Sequence, residues 1–102
     1  DAQGAEEAFV RALAMNRTNR IALLELAHIR FDAQDYTNAQ NYYDTYKITG
    51  RQQSARGLLL GIRLAQVEGD RNAEASYAMA LSSRYPKSPE YEAYERTKRS
   101  EQ

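Results

Sequence analysis

Leu23-Leu24-Glu25-Leu26-Ala27-His28-Ile29-Arg30-Phe31, followed by Asp35-Tyr36 and then by Ala39, Tyr43 and Tyr46, is the stretch whose reading decides the fold. Apolar side chains recur three and four residues apart on both sides of Asp35, which is the period of a helix and not of a strand. Residues 23–50 therefore predict two short antiparallel helices joined by a tight turn. The unit also recurs. Ala5 and Phe9 lie 34 residues before Ala39 and Tyr43, and Ala73 and Tyr77 lie 34 residues after them. The same step joins Ala12, Tyr46 and Ala80, and it joins Leu26 to Leu60 and Ala27 to Gly61.

Outward from that centre, residues 1–16 carry Ala5, Phe9, Ala12, Leu13 and Met15 at helical spacing, matching the second helix of such a unit without its first. One face of this helix, the one carrying Phe9 and Leu13, is expected to fray or to self-associate. Asn16 to Asn19 make a polar break in which Thr18 or Asn19 caps a helix of residues 20–33. Asp35 caps the helix 36–49, and Gly50 is expected to close it in a left-handed conformation. A further helix over 53–68 holds Leu58, Leu60, Gly61, Leu64 and Ala65, with Gly61 placed for close helix approach. Asp70 caps 71–84, Pro86 stops that helix, and Ser88-Pro89-Glu90 opens a last one over 89–99 with serine as cap and proline in the first turn. Tyr91 and Tyr94 share one face of it, and fraying is expected beyond Lys98.

A 34-residue period of paired helices resembles the tetratricopeptide repeat. The residues that match its pattern are Leu23, Leu26, Ala27, Ala39 and Tyr43 in the central unit, and Leu60, Gly61, Leu64, Ala73, Tyr77, Ala80 and Pro86 in the next. Arg30 stands where a large aromatic is usual, Tyr46 replaces a small residue, and Gly57 occupies the usual tryptophan position. The resemblance implies an all-α right-handed superhelix of antiparallel helix pairs with a terminal capping helix. Its layout is a single array: an orphan second helix at 1–16, repeats at 20–50 and 53–86, and the terminal helix at 89–99.

Composition narrows the function. Fourteen basic and fourteen acidic side chains cancel over 102 residues, so no global field attracts nucleic acid or an anionic membrane. There is no cysteine for a disulfide, a thiolate nucleophile or a zinc ribbon. No apolar run approaches the roughly 20 residues of a membrane span. His28 is the single histidine, and Glu25 beside it makes a poor metal pair, so no metal or cofactor site is expected. Paired acids such as Glu6 and Glu7, or Asp32 and Asp35, lie on polar faces with nothing to separate their pKa values, which argues against an enzyme. Tyr43, Tyr46 and Tyr77 read as core aromatics. Arg96, Lys98 and Arg99 read as a solvated helix end.

What remains is a surface. In stacked helix pairs the first helices line the concave side. Here the residues of those helices not used within a repeat are Ile21, Leu24, His28 and Phe31, then Ala55, Leu58, Ile62 and Gln66. This mostly apolar row is the candidate groove for an extended or helical apolar segment of a protein partner.

A narrower resemblance covers most of the chain. Leu58-Leu59-Leu60-Gly61-Ile62-Arg63-Leu64-Ala65, then Asp70-Arg71, Ala75-Ser76-Tyr77, Tyr85-Pro86 and Pro89-Glu90-Tyr91, resemble the carboxy-terminal repeats of the type IV pilus biogenesis family called PilF or PilW. Ala22-Leu23-Leu24-Glu25-Leu26-Ala27 and Asp35-Tyr36 fit the same family. That resemblance implies a pilotin: an outer-membrane lipoprotein facing the periplasm that helps a secretin subunit assemble and reach its membrane. It implies too that this is the distal portion of a longer protein, whose lipid anchor and early repeats lie outside it. The broader alternative is a repeat adaptor in another multiprotein assembly.

Overall fold

The computed structural model describes residues 1–50 and 52–100. Six helices follow one another: α1 (Ala2–Met15), α2 (Arg20–Asp32), α3 (Tyr36–Ile48), α4 (Ala55–Glu68), α5 (Arg71–Arg84) and α6 (Pro89–Ser100). No strand occurs among the described residues. The extension of α6 through Ser100 takes helix past Lys98, where fraying was expected, and residues 101 and 102 lie outside the described residues.

Each helix begins where a short polar side chain replaces the missing intrahelical acceptor. The N–H groups of Gly4, Ala22, Asn38, Gly57, Ala73 and Tyr91 donate to the side chains of Asp1, Asn19, Asp35, Ser54, Asp70 and Ser88 at 2.6 to 3.3 Å. Asn19, not Thr18, is thus the cap of α2. Asn16 instead holds Thr18, accepting from its N–H and hydroxyl at 3.1 and 3.0 Å. Serine or aspartate caps of this kind contribute about 1 kcal/mol each.

The two inter-helix turns of the repeats share one device and differ in its residue. After α4, Gly69 adopts φ 72°, and the Asp70 N–H reaches back to the Ala65 carbonyl at 2.9 Å. After α2, Gln34 adopts φ 62°, and the Asp35 N–H reaches the Arg30 carbonyl at 2.8 Å. In both, a left-handed residue closes one helix while the next residue caps the following one. Gly50, by contrast, is not left-handed: Gly69 is the positive-φ glycine among the described residues. α3 ends at Ile48, and the reason for Gly50 is spatial. A Cβ there would collide with the guanidinium of Arg20.

The chain divides into two compact units, residues 1–52 and 53–102. In the first, α2 packs along α3 and α1 lies on α2. Ala22, Leu23, Leu24, Leu26 and Ala27 of α2 and Ala39, Tyr43 and Tyr46 of α3 are buried. The Tyr43 and Tyr46 rings lie 5.8 Å apart, as the helical spacing requires. Arg20 then seals the end of α3. Its guanidinium lies 4.4 Å from the Tyr46 ring centroid and donates to the Tyr46 carbonyl at 3.0 Å and the Gln52 carbonyl at 2.8 Å. A cation at the carbonyl end of a helix also complements its dipole. α1 has no buried residue among those described; Phe9 and Leu13 are half-buried.

In the second unit α4 packs along α5, and α6 lies on both. Leu58 and Ile62 of α4 meet Leu81 of α5, with Tyr77, Tyr85, Tyr91 and Tyr94 packed around them. The Tyr85 hydroxyl donates to the Gln53 carbonyl at 2.9 Å, tying the end of α5 to the start of α4. Gly57 and Gly61 are buried in α4, where a side chain would need room.

Candidate functional site

The candidate groove residues divide between the two units, and their surroundings differ. On α2, Ile21 is 74 % exposed, His28 and Phe31 are half-buried, and Leu24 is buried at 8 %. Phe31 meets Tyr36 edge-on, with ring centroids 5.3 Å apart, so its ring is held by the start of α3. On α4, Gln66 is exposed, but Leu58 and Ile62 are not: they are 2 % and 1 % exposed. The expectation that Leu58 and Ile62 line an open groove is corrected here. α6 lays Tyr91 and Tyr94 over them, so that this part of the row is core of the second unit.

Two open clefts flank these elements. One, of about 610 Å³, lies between α1 and α2 and is lined by Gln3, Glu6, Ile29, Arg30, Asp32 and Ala33. Its lining includes Arg30, which donates to Glu6 at 2.7 Å and Asp35 at 3.4 Å. Arg30 thus fills the place of the usual aromatic with an ion-paired clamp between α1, α2 and the cap of α3. The other cleft, of about 540 Å³, lies in the second unit and includes Gln66, Arg71, Glu74, Tyr94 and Lys98. Gln66 donates to Glu74 across it at 3.0 Å.

Titration adds little chemistry. The Asp35 carboxyl is held below its ordinary value chiefly by the Asn38 side-chain amide, which donates to it at 2.8 Å. The Asn38 N–H and the Arg30 guanidinium act in the same sense, while partial desolvation opposes them. The Tyr91 phenol is pushed up by desolvation against α4 and by the neighbouring Glu95 carboxylate. These are structural perturbations at a helix cap and a packed ring. Among the described residues no three His, Cys, Asp or Glu side chains converge to hold a metal ion. No described helix is long and apolar enough to cross a membrane.

Sequence reading missed the partners of Arg20 and the surface that α6 covers. Arg20 finds Tyr46 and Gly50 about thirty residues away, and no local pattern announces such a partner. For α6 a signal existed: Tyr91 and Tyr94, three residues apart in an otherwise polar helix, needed an apolar surface, and Leu58 with Ile62 offered it.

Paired antiparallel helices, repeated with recurring small and bulky positions, define an all-α helical-repeat protein of the tetratricopeptide type. The comparisons narrow the class. The chain is 42 % identical over 94 residues to the type IV pilus assembly protein PilF of Pseudomonas aeruginosa, a match covering 92 % of this chain and 37 % of that protein. A solved structure of P. aeruginosa PilF superposes with a TM-score of 0.84 at 40 % identity, covering 90 % of this chain and 41 % of that one. PilW, described as a widely conserved type IV pilus biogenesis factor, superposes at 0.76 with 28 % identity, covering 87 % and 40 %. The chain matches no family model. It belongs to the type IV pilus biogenesis family of PilF and PilW, and spans about two fifths of the length of the relatives it matches.

Proposed function

We propose that this chain is a non-catalytic protein-interaction scaffold within a type IV pilus biogenesis protein of the cell envelope. In the finer reading the whole protein is a pilotin, held at the periplasmic face of the outer membrane by a lipid anchor, which helps a secretin subunit assemble. The observation that carries this is the 42 % identity to PilF over nearly the whole chain. The fold supports it physically, because rigid helix pairs present a fixed surface without needing a reactive group.

The contact surface we assign is the α2 row of Ile21, Leu24, His28 and Phe31, with Ile21 as its exposed anchor. In the second unit, taken by itself, Gln66 is the exposed candidate, while Leu58 and Ile62 lie under α6. The mechanism is shielding: an aggregation-prone apolar segment of the secretin subunit rests on the row until oligomerisation buries it. Ile21→Asp is the clean test, since so exposed a side chain tolerates substitution within about 0.5 kcal/mol of stability. The expected result is loss of binding to the purified secretin subunit by the full-length protein, with unchanged melting temperature. Unchanged affinity with intact folding shows that the α2 row is not the contact surface.

The half-buried face of Phe9 and Leu13 on α1 is the second surface. It serves self-association when nothing else covers it.

A further inference from the structure

The cleft of about 540 Å³ between α4, α5 and α6 falls within the roughly 300–1,000 Å³ typical of ligand-binding clefts. Its described lining holds two cations, Arg71 and Lys98, and one carboxylate, Glu74. That carboxylate is engaged, accepting from the Gln66 amide at 3.0 Å. A narrower slot of about 70 Å³ shares Gln66 and Tyr94 with the cleft and adds Arg63 beside Leu59, Ala93 and Thr97. Three cations thus stand along one continuous surface with a single carboxylate among its described residues. The whole chain is electrically neutral, yet the charge along this surface is positive. Within the Debye length of about 8 Å in physiological salt, local charges decide which partner is attracted.

The walls are fixed before any partner arrives. Asp70 caps α5 by accepting from the Ala73 N–H at 3.0 Å, which anchors the turn that Arg71 follows. α6 is tied at its start: the Ser88 N–H and hydroxyl both donate to the Tyr85 carbonyl, at 3.1 and 2.8 Å, and the Ser88 oxygen accepts from the Tyr91 N–H at 3.0 Å. The Tyr94 ring packs on Leu58, Ile62 and Leu81 and lines both the cleft and the slot. Gly69 also lines the cleft, and beyond its chain neighbours nothing lies within 4 Å of where its Cβ would stand. An incoming chain can approach the backbone closely there.

We propose that this surface binds an acidic, extended peptide segment of a protein partner, with a carboxylate facing Arg71 and Lys98 and small side chains along the Arg63 slot. Guanidinium groups suit that role, because each offers paired N–H donors to one carboxylate. The slot is too narrow for a helix, which with its side chains is about 10–12 Å across, whereas an extended chain presents single residues to it. Nucleic acid is a poorer match, since three cations supply few of the phosphate contacts that such binding needs. The surface lies wholly in the second unit and stands on its own charges, whether or not the α2 row holds a secretin subunit.

The test uses this chain and a short fluorescein-labelled peptide that alternates aspartate and alanine. Fluorescence anisotropy is expected to show binding tighter than about 1 mM, weakening as salt rises. The same peptide with asparagine for aspartate is expected to bind at least about tenfold more weakly, and so is the aspartate peptide to the Arg71→Gln, Lys98→Gln chain. Arg63→Gln is a second, independent variant, expected to weaken binding at least about threefold. Arg84→Gln, at the exposed last residue of α5, is expected to leave the affinity unchanged. All of these sites are exposed, so the melting temperatures are expected to match that of the parent chain. In NMR titrations the amides of Gln66, Arg71, Tyr94 and Lys98 are expected to shift with the peptide. Failure of the aspartate peptide to bind at about 1 mM, equal binding of the asparagine peptide, an equal loss in Arg84→Gln, or shifts confined to other residues overturns the proposal. Binding of phosphatidylglycerol vesicles in place of the peptide, lost in the same double variant, assigns the surface to a membrane and overturns the peptide.

Discussion

At the scale of single residues, the informative positions are those where a side chain meets something far away in sequence. Gly50 illustrates it. Its value is the space it leaves for Arg20, whose guanidinium bridges the Tyr46 ring, the Tyr46 carbonyl and the Gln52 carbonyl. Gly50→Ala evicts that group without unfolding anything, because the colliding atoms are the far end of a flexible chain. Gly50→Ala and Arg20→Ala are therefore expected to cost about the same, roughly 1–2 kcal/mol each. The double variant is expected to cost no more than either. Chemical denaturation of the three variants measures this, and additive losses would refute the shared mechanism. Asp35 gives a second expectation. Its pKa in the folded chain lies below the ordinary 3.8, so the folded state binds its proton less readily than the unfolded state. Its contribution is complete above pH 3.8 and disappears as pH falls through the lower folded value. Melting temperature against pH should thus fall more steeply below about pH 4 in the parent chain than in Asp35→Asn, which keeps a capping oxygen but cannot titrate.

Among the elements, α1 and α6 differ in how they are fastened. α6 packs Tyr91 and Tyr94 on the core of its unit, and α1 is held partly by charge, through Arg30 to Glu6 at 2.7 Å. Both partners are only a quarter exposed, so the pair is better shielded than a surface ion pair, though solvent still reaches it. Arg30→Met keeps the aliphatic packing and removes the bonds. It is expected to lower stability by about 1 kcal/mol, with the loss concentrated in the exchange protection of α1 amides. Loss spread evenly over α2 and α3 would show that Arg30 serves the α2 turn through Asp35 and not α1. The helices and their caps were legible in the sequence because the interactions that set them are local. An aspartate or serine that accepts from the N–H three residues on needs no tertiary context. Gln34 was less legible: glutamine carries no preference for the left-handed conformation it adopts at φ 62°.

For the whole molecule, the composition sets the tone: zero net charge and 10 % aromatic residues in 11.6 kDa suit protein recognition better than polyelectrolyte binding. With Phe9 and Leu13 half-buried and Val10 47 % exposed, α1 leaves an apolar strip uncovered. Sedimentation equilibrium of this chain is expected to give a mass that rises with concentration above 11.6 kDa. Leu13→Glu is expected to restore the monomer. A parent chain that stays monomeric with α1 fully protected from exchange would remove self-association from the account.

The sequence by itself determined the helices, their caps and the recurrence that makes them repeats, since each follows from contacts three or four residues apart and from a period visible without coordinates. It also carried the family, through the run Leu58–Ala65 and the Tyr85-Pro86 to Tyr91 segment. Only the tertiary structure decided which neighbour covers which apolar stripe. Leu24 and Leu58 hold equivalent places in the repeat, and Ile21 stays open while Ile62 is sealed beneath Tyr91 and Tyr94. The physical reason is that burial is a property of the space between elements: a helical stripe specifies that it will be covered, and packing alone selects the cover.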